Sequence, residues 1–161
     1  MYKNRKAVSP VIATVILVAV AITISVAVAY WMGGISSQYT KFEKVEVSSA
    51  VCDWDGTNLR WTVTLTLKNT GTSTCTITSA YINDRDVATY GGAMPTNGNA
   101  STDIETTGRT LVSGGNTLVH IYIDHSAGAS GTFASLTAGT TINLKFHSAG
   151  GMDYLKLVEL V

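Results

Sequence analysis

From Ala7 to Thr40 the chain carries no charged side chain, and between Pro10 and Met32 nearly every residue is apolar. The run Val11-Ile12-Ala13-Thr14-Val15-Ile16-Leu17-Val18-Ala19-Val20 shows no polar face at either the helical or the strand period. A helix that is apolar all round has to be buried all round. Pro10 to Met32 would extend about 35 Å as a helix, enough to cross a bilayer. The many β-branched residues disfavour a helix in water, but in lipid a helix is how one isolated segment satisfies its own backbone. Exposing one aliphatic side chain costs about 1.5–3 kcal/mol, so exposing the whole segment to water costs on the order of tens of kcal/mol. The segment therefore belongs in a membrane, in a packed bundle, or in a part that is cleaved away.

Three readings fit that requirement. A secretory signal peptide would use Lys3, Arg5 and Lys6 as its basic head and Ala27-Val28-Ala29 as its cleavage site. The apolar run ahead of that site is longer than the roughly 7–15 residues usual for such peptides. A plain membrane anchor would keep the basic head inside and the rest of the chain outside. The third reading comes from the junction itself.

That junction reads Arg5-Lys6-Ala7-Val8-Ser9-Pro10-Val11-Ile12. It resembles the leader of archaeal type IV pilins, in which a prepilin peptidase cuts after a basic residue plus Gly or Ala, just ahead of the apolar helix. The resemblance runs to about Thr40 and implies a leader over residues 1–7, with Lys6, Ala7 and Val8 as the processing site. A mature start of Val8-Ser9-Pro10 followed by Val-Ile resembles the adhesive-pilus branch, whereas archaellum subunits usually begin differently. Bacterial type IV pilins carry a Glu at the position of Ile12, so docking through that Glu is not implied here.

What the resemblance implies is a structural subunit polymerising into an extracellular pilus for surface adhesion. Residues 8–42 would span the membrane before assembly and form the filament core after it, with β-domains as the outer sheath. The packed core side chains would be Val11, Ile12, Val15, Ile16, Leu17, Val18, Val20, Ile22, Ile24, Val26 and Val28. The implied partners are further copies of the chain as a homopolymer, the prepilin peptidase, the pilus assembly machinery, and the membrane that holds the precursor. The implied location is the archaeal cell surface, with the cytoplasmic membrane for the precursor.

Local chemistry agrees with a helix starting here. Ser9 is a good capping residue, and Pro10 at the first helical position loses nothing by lacking an N–H. Ala13, Ala19, Ala21, Ser25, Ala27, Ala29 and Gly33 allow close helix approach, though small residues are also simply common in membrane spans. Thr14, Thr23 and Ser25 can bond back to their own helix carbonyls. Gly33 and Gly34 read as a softening of the helix and a hinge; a helix running through them gives up about 1 kcal/mol at each relative to Ala.

After residue 42 the period changes. Leu59, Trp61, Val63, Leu65 and Leu67 alternate with Arg60, Thr62, Thr64, Thr66 and Lys68, the pattern of a half-buried strand. Asn69-Thr70-Gly71-Thr72 reads as a turn, and residues 74–82 as the returning strand. Further strands are expected near 45–53, 116–124, 140–147 and 153–160. The fold class is therefore α+β: a long hydrophobic N-terminal helix, then an antiparallel, immunoglobulin-like β-sandwich over residues 43–161. The stretch 90–115 is too polar to read as core and suits a long surface loop. Within it, Asn99-Ala100-Ser101 fits the N-glycosylation pattern, and Tyr90 reads as an exposed contact residue.

Cys52 and Cys75 match no zinc spacing, and in an exported domain they suggest a disulfide, with two buried thiols as the alternative. Eleven basic residues balance eleven acidic ones, which gives no sign of nucleic-acid binding. Without Lys3, Arg5 and Lys6, 8 basic residues face 11 acidic ones, a net −3 that suits a soluble body. His120, His125 and His147 lack the spacing of a local metal site. Asp53-Trp54-Asp55-Gly56-Thr57-Asn58 lacks the later Glu of a calcium loop and reads as a turn. No enzyme, cofactor or metal is expected. The rival to a pilus subunit is a membrane-tethered β-sandwich binding module that keeps residues 1–7 and does not polymerise.

Overall fold

The computed structural model describes residues 9–161, so the leader and the processing site at Lys6, Ala7 and Val8 lie outside the described residues. Two compact units emerge, divided between Lys41 and Phe42. The first is a single helix, α1 (Pro10–Tyr39), about 45 Å long at the usual rise. The second, Phe42–Val161, is entirely β-structure and loops.

The β-unit consists of β1 (Val45–Asp55), β2 (Arg60–Asn69), β3 (Cys75–Ile82), β4 (Arg85–Asp86), β5 (Ala100–Thr102), β6 (Arg109–Leu111), β7 (Asn116–Asp124), β8 (Thr141–Ser148) and β9 (Asp153–Glu159). One sheet has the order β1-β2-β7-β5; the other has β4-β3-β8-β9, with β6 added against β3. Every ladder between these strands is antiparallel. Leaving out the short β6, this is the immunoglobulin arrangement of strands.

Alternation drives the packing. Trp61, Val63, Leu65 and Leu67 of β2 and Val119, Ile121 and Ile123 of β7 form the inner face of the first sheet. Ile77, Ala80 and Ile82 of β3 meet them with Ile142, Leu144 and Phe146 of β8 from the second. Thr62, Thr64 and Thr66 take the opposite, half-buried face, where a β-branched hydroxyl suits a pleated surface. Leu59, grouped with this alternation by its spacing, instead lies in the preceding turn at φ 49° and is largely exposed.

The turn between β2 and β3 explains how the domain begins. Asn69 is fully buried: its Nδ2 donates to the carbonyls of Ser73 (2.8 Å) and Leu111 (3.0 Å), and its Oδ1 accepts from the Gly71 N–H (2.9 Å). Gly71 has to be glycine, because a Cβ there would come within 2.5 Å of the Phe42 carbonyl oxygen. That carbonyl accepts from the Thr72 and Ser73 N–H groups, and the Lys44 carbonyl accepts from Thr70 and Gly71. The first residues of the domain are thus clamped by the β2–β3 turn.

The expectation that 90–115 is a surface loop needs correcting. The stretch contains β5 and β6, and Ala100, Ser101, Thr102, Ile104 and Leu111 are all buried. β5 pairs with β7 through Ala100–Ile123, Ser101–Tyr122 and Thr102–Ile121, so this segment closes one edge of the sandwich. Tyr90 is not a free surface residue either. Its ring packs against the core, its hydroxyl donates to Asp86 Oδ1 (2.8 Å), and the Ala80 N–H donates to it (3.3 Å). Burial, then the Asp86 carboxylate, push its phenol up to about 12.

Candidate functional site: an uncovered apolar helix

Helix α1 is long and apolar enough to cross a membrane, and no residue of it is buried within the chain. Its apolar side chains are spread evenly around the axis. Val11, Ile12, Val15, Ile16, Leu17, Val18, Val20, Ile22, Ile24, Val26 and Val28 all stand exposed, Leu17 by 70%. An ordinary soluble helix shows a covered stripe and a wet one. This helix has only one kind of surface.

Four of its hydroxyls bond back to the helix backbone. The Thr14 hydroxyl donates to the Val11 carbonyl (2.8 Å), Thr23 to Ala19 and Val20 (3.0 and 2.9 Å), Ser25 to Ala21 (2.7 Å) and Ser37 to Gly34 (2.8 Å). Each hydroxyl is satisfied without a partner helix or water, as an apolar surrounding requires. Pro10 occupies the first turn as expected. Ser9 holds the N-cap position, but its side chain makes no capping bond; its carbonyl accepts from the Ala13 N–H (3.1 Å). The cap read from the sequence is thus backbone only. The helix runs unbroken through Gly33 and Gly34, so the softening expected there produces no break, and a Cβ at either would meet nothing within 4 Å.

The two cysteines are free thiols, both buried, and the disulfide expected from the sequence is not present. The geometry gives the reason. Cys75 opens β3 beside Glu43 and Tyr154, the latter reaching the Val45 backbone, whereas Cys52 lies seven residues beyond Val45 along β1, against Val161. Along a strand that is about 20 Å, and a disulfide needs Cα atoms about 4.4–6.8 Å apart. Burial pushes both thiols up, with Asp53 adding for Cys52 and Glu43 for Cys75, so they stay protonated near neutral pH.

Asn99 is exposed on the loop before β5, with its Nδ2 donating to the Thr96 carbonyl (3.1 Å). The histidines are separated. His120 Nδ1 meets Asp103 Oδ2 at 2.9 Å, His147 Nδ1 meets Asp153 Oδ1 at 2.6 Å, and His125 lies among aromatic rings. Among the described residues no three metal-ligating side chains converge. In the Asp53–Asn58 segment Asp53, Trp54 and Asp55 end β1 and the expected turn follows over 56–59: Asp55 Oδ1 accepts from the Thr57 and Asn58 N–H groups (3.1 Å each) and its Oδ2 from Asn58 Nδ2 (2.7 Å).

Asp124 is a structural residue that the sequence reading passed over. It is 6% exposed, and its Oδ2 accepts from the Gly98 N–H and the Ser126 hydroxyl, both at 2.7 Å. Burial alone would raise its carboxyl, but these hydrogen bonds outweigh it and hold the group below its ordinary value. Asn97-Gly98, both at positive φ, was the available signal, since such a dipeptide marks a turn that something must pin.

No family model matches the chain, and no curated protein matches it.

Proposed function

We propose that the chain is a structural subunit, an archaeal type IV pilin, that polymerises into an extracellular filament with its helices as the core and its β-domains as the sheath. The observation that carries this reading is α1, thirty residues with apolar side chains on every side and no buried residue. Such a surface requires a continuous apolar surrounding, which lipid supplies to a precursor and neighbouring helices supply to a filament.

Arg5-Lys6-Ala7-Val8 immediately ahead of it gives the prepilin peptidase its site, and removal of the basic head converts an anchored precursor into an extractable subunit. Transfer from lipid to bundle exchanges one apolar surrounding for another and is nearly balanced. Close packing, contacts between β-domains and the assembly machinery then decide the direction. The interface between subunits is heterologous and does not close, which gives a helical polymer instead of a ring. Exposure at the cell surface suits the hydroxyl-rich, charge-poor β-domain and a role in adhesion.

Electron microscopy of cells expressing the chain tests the reading. Surface filaments whose purified subunit is this chain support it. Cells that hold the chain in the membrane and bear no filament containing it would sink it.

A further inference from the structure

One end of the sandwich is left open. Trp54 pairs with Trp61 across β1 and β2, so both indoles lie on the inner face of their sheet. Trp61 is 2% exposed, as an inner residue should be, but Trp54 remains 41% exposed. Beside it is a cavity of about 260 Å³ lined by Trp54, Trp61, His125, Thr137, Ala138 and Val161. Opposite the rings the lining comes from outside the strands, from Thr137 and Ala138 ahead of β8 and Val161 beyond β9, all with short side chains, so the core ends in a slot.

The three rings touch one another. Trp54 and Trp61 have centroids 4.9 Å apart, Trp61 and His125 4.8 Å, and Trp54 and His125 6.2 Å. Their planes are tilted by 52°, 70° and 44°, so they form a stepped aromatic ledge, and they stand too close together to wall in a centre as a site for a bare cation does. The ledge also has polar edges. Neither the Trp54 indole N–H nor the His125 ring nitrogens have a hydrogen-bond partner among the described residues, and the Thr137 hydroxyl shares one bond with Thr140 (3.1 Å). A hydrocarbon occupant would leave those groups unmatched.

We propose that this slot is a carbohydrate-binding site that takes a single pyranose ring. The apolar C–H face of such a ring lies on the exposed Trp54 indole, with the Trp61 ring at its edge, and its hydroxyls meet Trp54 Nε1, His125 and Thr137. Sites of this kind combine apolar walls with a few placed polar groups. The inference goes beyond filament formation and does not depend on it, because all six lining residues belong to one β-domain.

The test uses the full chain in lauryldimethylamine oxide micelles, which carry no sugar headgroup, with indole ¹H–¹⁵N signals followed by NMR. The three tryptophans give three signals, and Trp31 in α1 is the internal control. Methyl pyranosides should move the Trp54 and Trp61 signals, leave Trp31 in place, and saturate at about 1–10 mM, as expected for a ligand of about a dozen non-hydrogen atoms. Trp54→Ala should weaken the response of Trp61 at least about tenfold, while Trp54→Phe, which keeps a ring, restores most of it. An unchanged far-ultraviolet spectrum in both variants confirms that the domain is folded. Oligosaccharides that contain the same pyranose should move the same two signals. Three results overturn the proposal: no shift with any sugar, a Trp61 response undiminished in Trp54→Ala, or equal shifts with cyclohexanol.

Discussion

The indole N–H of Trp61 donates to the backbone oxygen of Val161 across 3.0 Å, joining β2 of one sheet to the second residue beyond β9 of the other. The same end holds Cys52 against Val161, while the far end holds Tyr154 against Val45. Edge strands β1 and β9 therefore run side by side in the same direction, one from each sheet. Trp61→Phe removes the donor and some volume while keeping an aromatic ring. It should cost about 1–3 kcal/mol, read as a lower urea midpoint with an unchanged slope.

Asp124 should make the β-domain acid-sensitive. Its carboxyl sits below the ordinary value in the folded state, so its stabilising contribution is present above the unfolded value of 3.8 and is lost as pH falls through the folded one. Asp124→Ala strands the Gly98 N–H and the Ser126 hydroxyl. It should cost about 2–4 kcal/mol at neutral pH and flatten the fall in stability below about pH 4, which unfolding curves at several pH values would record.

Much of this was legible in the sequence, for definite reasons. An uncharged apolar run such as Pro10–Met32 points to a helix in an apolar surrounding, and β2 alternates over enough residues to declare its inner face. The same logic fails where elements are short. β5 and β6 span three residues each, too few for a period; buried Ile104 stands between Asp103 and Glu105, and buried Leu111 is followed by an exposed Val112. Ser101 and Thr102 are fully buried despite their hydroxyls. Tyr90 looked exposed because its sequence neighbours are glycines, but Asp86 and Ala80 hold its hydroxyl. The aromatic ledge was hidden for another reason: Trp54 and Trp61 become neighbours through strand register, and His125 joins them only through the end of β7.

The cysteines should behave as two sheltered thiols. Alkylation of the native chain without reductant should be slow, since both sulfurs are buried and protonated. After unfolding, still without reductant, both should take up the label. Mass spectrometry showing an unlabelled, bridged pair would contradict the placement of Cys52 and Cys75 at opposite ends of the fold.

A charge in α1 should abolish assembly. Val18 stands exposed in the apolar stretch, and Lys at the centre of a membrane helix costs about 2.5–3.5 kcal/mol by insertion measurements. Val18→Lys should reduce filament yield below detection by microscopy while the β-domain stays folded. Gly33→Ala, with open space around it, should leave yield intact or raise it.

The central claim is that a cut ahead of Val8 turns a membrane precursor into a filament subunit. Terminal sequencing of the chain recovered from surface filaments tests it most directly. The account predicts a mature start of Val8-Ser9-Pro10-Val11; a start at Met1, or at Tyr30 beyond the Ala27-Val28-Ala29 site, would contradict it.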